Sequence, residues 1–325
     1  MKVKSWLQWA PVDLKGGMGG AEVCARSLHR ELESQGIRSK ISSDPSDLDD
    51  SWDVIHTHGP WALPKKSVKS IRAHTLHGTT LGRMWACREF LWLGGYRSYA
   101  GEVRGVLQSD LVFGVHDQLH LLKAATLMGK KAVPIWNGWD SALQPAPLSQ
   151  ELRNKLQSFG KFFCFVGRGD DPMKNTRMLR TLLDQIPELK IVAVPGVGFE
   201  PSDRVFATGR LDPAQILSIH EMSLGLLVPS KYEGLPLVVL EALGHGYPVI
   251  SAPAGGVPRL PENLQQFHVI SLDSGQWIEK IRDLLKRGTP PNPTASREAN
   301  RQQLMTWKKV VENSLQAAES VLEKR

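Results

Sequence analysis

The sequence predicts an α/β protein made of two doubly wound, Rossmann-like domains facing a central cleft. Three observations carry this expectation. Short β-like runs alternate with helix-like segments along the chain, which is the pattern of βα units around parallel sheets. That alternation lapses once, in the SALQPAP segment at 141–147, where turn-forming residues signal a linker. The length of 325 residues accommodates two domains of roughly 150 residues each. The expected boundaries are 1–145 and 146–304.

In the first half, strands are expected at 3–9, 37–42, 53–56, 73–76, 111–115 and 133–136. Between the first two lies a helix over 21–35, with Cys24, Leu28 and Leu32 on one face and Gly36 as its stop signal. The second series places strands at 162–166, 190–194, 223–228, 248–251 and 268–271. After the loop GTPPNPT at 288–294, the stretch 297–324 reads as one long amphipathic helix. Ligands of such domains bind at the carboxyl ends of the strands.

Bulk composition narrows the partners. Hydrophobic residues make up 41% and charged residues 22%, a globular mixture. A net charge of +7 points to anionic partners. The bases form no dense run and accompany no nucleic-acid motif, so nucleic acid is not expected. Phosphorylated small molecules and an anionic membrane surface both remain open. No run approaches the ~18 apolar residues of a membrane span, and the N-terminus lacks the apolar core of a secretory signal. Cys24, Cys87 and Cys164 are far apart and odd in number, which fits neither a disulfide framework nor a recognisable metal spacing. The expected setting is a reducing cytoplasm.

The most informative stretch is VPSKYEGLPLVVLEALGHGYPVISAPAGGVP, at 228–258. It leaves a strand through a loop ending at Gly234, and Pro236 is placed to open a helix. Backbone N–H groups near Gly234, Leu235, Pro236 and Leu237 (Pro236 itself having none) would then sit at a helix N-terminus, which suits a diphosphate. Glu241 lies five residues beyond Pro236, about 7.5 Å along the axis at ~1.5 Å per residue. That is a sensible reach from a phosphate to the ribose of the same nucleotide. Its carboxylate can accept from both ribose hydroxyls. Glu233, before the helix, falls on the other side of the phosphates, where a sugar would sit. Two isolated glutamates are usually solvated surface charges. Here Glu241 interrupts an otherwise apolar helix, where an acid without a role would be costly.

Glu233 and Glu241 within EGLPLVVLEAL, followed by GYPVISAPAGGVPRL, resemble the donor-site signature of the family 4 retaining glycosyltransferases of the GT-B fold. GGMGGAEVCARSLHRELESQG, DVIHTHGPWA, HTLHGTTLG, VPIWNGWD, FVGRGDDPMKN and MTWKKVVENSL match the family pattern in the expected order. The resemblance implies a C-terminal helix, about 305–325, that crosses back to the N-terminal domain. It implies that Arg168 and Lys174 bind the donor diphosphate, although their spacing is one residue longer than usual. A pair of cations there would neutralise the leaving group as its charge grows. Gly19 and Gly20 would face the donor, and His77 would hydrogen-bond a hydroxyl of the reacting sugar. Thr208, Gly209 and Arg210 would line the base pocket.

The implied reaction moves a hexose-type sugar from a UDP- or GDP-sugar to a hydroxyl of a glycan or lipid-linked acceptor. It would proceed with retention and without a metal or other cofactor. A metal held by His56, His58 and His77 is set aside, because strand alternation aligns His56 and His58 without supplying a further ligand. The acceptor side is less legible. Lys65, Lys66, Lys69, Arg72, Arg83, Arg88, Arg97 and Arg104 mix with Trp85, Phe90, Leu91, Trp92, Tyr96 and Tyr99. That mixture suits either an anionic membrane or the core of a helical insertion. A nucleotide-sugar epimerase on the same fold and a non-catalytic nucleotide-sugar or glycan binder are the alternative readings.

Overall fold

The computed structural model describes residues 2–12, 19–64, 69–288 and 292–324. Backbone contacts divide the chain into two compact units, 1–138 with 305–325, and 139–304. Each holds a six-stranded, all-parallel sheet.

In the first unit the strands are β1 (Ser5–Trp9), β2 (Arg38–Ser42), β3 (Val54–His58), β4 (Ile71–Leu76), β5 (Leu111–Gly114) and β6 (Lys131–Pro134). Their order across the sheet is β2-β1-β3-β4-β5-β6. The helix Gly20–Ser34 follows β1 and buries Cys24, Leu28 and Leu32, the face expected from the sequence. The anticipated single C-terminal helix is two helices, Pro293–Arg301 and Trp307–Leu322. The second begins with Thr306 accepting from the N–H of Lys309. Thr306 thus acts as an N-cap and starts a new helix where periodicity alone had suggested continuation. Trp307–Leu322 belongs to the first unit, where it packs on the helix Gly20–Ser34.

In the second unit the strands are β7 (Phe163–Gly167), β8 (Ile191–Pro195), β9 (Val205–Ala207), β10 (Leu226–Val228), β11 (Val249–Ser251) and β12 (Phe267–Val269). Sequence periodicity does not reveal β9, whose three residues are too few to establish an alternation. The order is β12-β11-β10-β7-β8-β9, which is the dinucleotide-binding order with the winding reversed between β7 and β10. Both faces of this sheet are apolar, as helix-covered parallel sheets require. Phe163, Phe165, Ile191 and Ile250 pack with Leu179, Leu182, Trp277 and Ile281. Phe162, Cys164, Val192 and Val194 pack with Leu156 and Ile219. The SALQPAP segment is tied to this unit, since Ala146 donates to Ala214 and accepts from the Ser218 hydroxyl.

Candidate functional site

At the reversal between β7 and β10, the chain leaving each strand is free to meet the other. β7 runs out through Gly167 into Arg168, and the short turn Pro172–Lys174 follows, capped by Asp171. β10 runs out into Pro229, Ser230 and Glu233. The two exits are stitched together: Lys231 N–H donates to the Met173 carbonyl at 2.8 Å, and the Asn175 side chain donates to the Pro229 carbonyl at 3.0 Å. Lys174 Nζ then donates to Glu233 Oε1 at 2.7 Å, and the Ser230 hydroxyl donates to the same oxygen at 2.7 Å. With side-chain exposures of 20% and 10%, this ion pair is largely withdrawn from solvent. One bond to Glu233 leaves the ammonium two further donors.

Glycine sets the backbone here at two positions. Gly167 adopts φ +151, and a Cβ there would lie 3.2 Å from Lys174 Cε, so the lysine stem uses that space. Gly255 has φ +57, and its Cβ would fall 2.1 Å from the Glu233 carbonyl and 2.3 Å from that of Gly234. Gly256 N–H donates to the Gly234 carbonyl at 2.6 Å. The loop after β11 therefore clamps the loop that carries Glu233.

The helix beyond this loop is Leu237–Gly244, with Pro236 as its N-cap and no side-chain cap. Pro236 stands one position earlier than expected from the sequence, outside the helix and not within it. The N–H groups of the first turn are then the ones an anion can claim. Glu241 is partly accessible. Burial pushes its carboxyl up to about 7, and the nearby Asp140 carboxylate adds to the rise.

Arg168 is exposed and pairs with Asp170 at 2.8 Å, so its guanidinium is turned to a neighbouring acid and not to Glu233. Gly209, with φ +79, donates to the Pro195 carbonyl, and Arg210 beyond it is exposed.

The first unit has its own winding reversal, between β1 and β3. Gly19 and Gly20 form the exposed start of the helix Gly20–Ser34. The Glu22 carboxylate comes within 2.5 Å of where a Gly19 Cβ would be, so this helix start already carries an anion. Three elements meet at His58. Its Nε2 contacts Gln8 Oε1 at 2.6 Å, and its Nδ1 contacts His77 Nε2 at 3.0 Å. His56 is satisfied on both sides, accepting from Trp6 Nε1 and contacting the Thr75 hydroxyl at 2.7 Å. Burial, reinforced by the neighbouring imidazoles, holds His56 and His58 well below their ordinary range. Burial alone brings His77 down to about 4. All three are neutral at pH 7.

Much of the expected acceptor surface stands in solvent. Trp85 is 74% exposed, Leu91 95% and Leu93 77%, with Phe90 and Tyr96 about half exposed. Arg88, Arg97 and Arg104 are exposed beside them. Arg72 is instead paired with Asp110. Arg83 lies 4.6 Å over the Trp92 ring and is paired with Glu89. Lys65 and Lys66 lie outside the described residues.

Comparison with known proteins agrees with this architecture. Residues 198–303 match the family model described as glycosyl transferases group 1, and these residues fall within the second unit. The sulfoquinovosyl transferase of Arabidopsis thaliana is 30% identical over 181 residues, covering 50% of this chain and 35% of the relative. The chain spans only 25% to 36% of the curated relatives it matches. The sucrose-phosphate synthase structure from Thermosynechococcus elongatus covers 99% of this chain and 100% of that one, with a TM-score of 0.76 at 18% identity. The Anabaena HepE structure in complex with UDP and glucose covers 98% and 100%, with a TM-score of 0.69 at 16% identity. The fold is the two-domain, Rossmann-like GT-B fold.

Proposed function

We propose that the protein is a family 4 type retaining glycosyltransferase. It would move a hexose-type sugar from a UDP- or GDP-sugar to a hydroxyl of a glycan or lipid-linked acceptor. The observation that carries this reading is the Lys174–Glu233 pair at the winding reversal of the second unit, next to a helix start without a side-chain cap. A fold relative solved with UDP and glucose and the group 1 match over 198–303 support it.

On this reading, the N–H groups of Leu237 and Val238 that open the helix and the Lys174 ammonium receive the diphosphate. Arg168 joins them by leaving Asp170, an exchange that costs little because the pair is exposed and screened by solvent. These cations take the place a metal ion would otherwise fill. Glu241 accepts from the ribose hydroxyls. The backbone around Gly209 and Arg210 lines the base. Glu233 orients the donor sugar through Oε2, the oxygen not engaged by Lys174 or Ser230. Gly19, Gly20 and His77 carry, on the first unit, the roles the resemblance implies. The bond from the anomeric carbon to phosphate oxygen breaks as the acceptor oxygen bonds to the same face, and the departing diphosphate takes the acceptor's proton. Glu233 is therefore not the base.

Exposed Trp85, Leu91 and Leu93 among Arg88, Arg97 and Arg104 support peripheral contact with an anionic membrane, where a lipid-linked acceptor would be met. No helix among the described residues is long and apolar enough to cross a membrane. A reducing cytoplasmic setting suits the thiols of Cys24, Cys87 and Cys164.

Incubation with a panel of radiolabelled nucleotide sugars tests the assignment. Slow release of nucleotide from one donor, accelerated by acceptor, is expected. An isomerised donor would establish an epimerase, and binding without turnover would establish a carrier. Flotation with anionic liposomes tests the membrane contact. Binding at low salt that Trp85→Ser and Leu91→Ser together abolish is expected, and failure to float at low salt removes that part.

A further inference from the structure

The winding reversal of the first unit brings together Cys24 from the helix after β1, His58 from the end of β3 and His77 just beyond β4. Each offers one ligand atom, and the three atoms lie within 4.8 Å of one another. We propose that Cys24, His58 and His77 form a binding site for one borderline-soft divalent cation of the zinc class. A water would fill the fourth tetrahedral position.

The donor set is one that zinc accepts, a thiolate with two imidazoles and an open position. The geometry around His58 is the stronger argument. Gln8 Oε1 can only accept, so the His58 Nε2 it contacts at 2.6 Å must carry the proton. In a neutral ring this leaves Nδ1 as a bare lone pair. That lone pair points into the cluster, toward His77 Nε2 at 3.0 Å. A metal-ligating histidine is typically held in this way, with its outer N–H fixed by a carbonyl-type acceptor so that tautomer and ring orientation are set in advance. His56, the third member of the histidine set considered from the sequence, has both nitrogens engaged by Trp6 and Thr75 and is not a ligand. The ligand that strand alternation could not supply comes from the neighbouring helix, as Cys24.

Tetrahedral zinc bonds of about 2.0–2.3 Å put its ligand atoms about 3.3–3.7 Å apart. The two imidazole nitrogens, now 3.0 Å apart, must therefore part by a few tenths of an ångström, and separations of up to 4.8 Å must close by about 1.1–1.5 Å around the cation. Two proton movements accompany binding. His77 Nε2 now donates to His58 Nδ1, so the His77 ring must switch tautomer, its proton moving by way of solvent to its own Nδ1, which frees the Nε2 lone pair and leaves His58 neutral. The Cys24 thiol loses its proton to solvent. One proton is released per cation bound, and no oxidant or further reactant is required. The site lies wholly in the first unit and shares His77 with the proposed sugar contact, but its cobalt readout needs no transferase activity.

Titration of the chelator-treated full chain with Co²⁺ tests the site. One equivalent is expected to give visible bands of tetrahedral cobalt and a near-ultraviolet thiolate-to-cobalt band, both erased by one equivalent of Zn²⁺. Calorimetry in two buffers of different ionisation enthalpy should return one proton released. Cys24→Ser should remove the thiolate band, and His77→Gln should weaken Co²⁺ affinity at least tenfold. His77 is partly accessible, so its replacement decides the matter if the cysteine variant fails to fold. Absence of tetrahedral bands in the folded wild-type chain overturns the proposal. So does unchanged affinity in folded His77→Gln.

Discussion

The two units place functional side chains by the same device and arrive at opposite chemistries. Each is a parallel sheet with one winding reversal, and in each the chain segments leaving adjacent strands meet there. In the second unit that meeting point holds an ion pair, Lys174 with Glu233. In the first it holds neutral imidazoles, an amide and a thiol. The fold explains where side chains converge, whereas residue type decides what they can bind. A charged pair beside a helix start suits a diphosphate and a sugar. A dry cluster of lone pairs suits hydroxyl groups or a soft cation.

The sharpest way to break this contrast is to neutralise the charged side of it. Glu233→Gln is expected to lower sugar transfer on the order of 100-fold or more while leaving nucleotide affinity within a few fold, measured by steady-state transfer and by calorimetry with UDP. Full activity in this variant would sink the assignment of Glu233. The next effect is structural. Gly255→Ala would drive a methyl against the Glu233 and Gly234 carbonyls at a positive φ. It should cost about 1–3 kcal/mol in urea unfolding, and it should weaken nucleotide binding because the clamped loop must move. Unchanged stability would show that the loop after β11 does not hold the site.

The smallest effect is a pH dependence. Glu241 has its carboxyl raised from 4.5 to about 7, so its protonated form is favoured in the fold. The stability it contributes is complete below pH 4.5 and is lost as pH rises through 7. Ribose hydroxyls need the ionised carboxylate as acceptor, so nucleotide affinity should rise over the same interval, up to about tenfold per pH unit. Glu241→Gln should flatten both profiles relative to wild type. Parallel profiles in the two proteins would remove Glu241 from the ribose.

Legibility in the sequence differed between the two regions for a physical reason. The loop and helix between Glu233 and Glu241 are contiguous, so helix rise and backbone chemistry suffice to order them along a ligand. Lys174 came from the family resemblance, and the turn capped by Asp171 is what folds it onto Glu233. Ser230 and Gly255 were missed as partners of that loop. Ser230 stands only three residues before Glu233 in SKYEG and was in principle within reach of local reasoning. The approach of Gly255 is a tertiary fact. The Cys24 cluster was out of reach because its members come from three separate elements. Strand alternation aligns His56 with His58 but cannot report that a helix delivers a thiol to the same place. Strands long enough to alternate were readable, while β9 at three residues was not. The cap at Thr306 likewise divided a helix that its apolar periodicity had joined.

The return of Trp307–Leu322 to the first unit has a consequence for how the chain is made. Gly138 and Trp307 abut, a Cβ on Gly138 falling 2.5 Å from the Trp307 nitrogen. The second unit is therefore a contiguous insert whose exit and re-entry points lie side by side. As the polypeptide is synthesised, the first sheet emerges early but stays without its covering helix until the insert has been translated. The second unit, whose residues are all contiguous, can close on itself first. The unit begun second becomes the unit finished first. Joining 138 to 305 through a few linker residues should yield the first unit as a molecule in its own right.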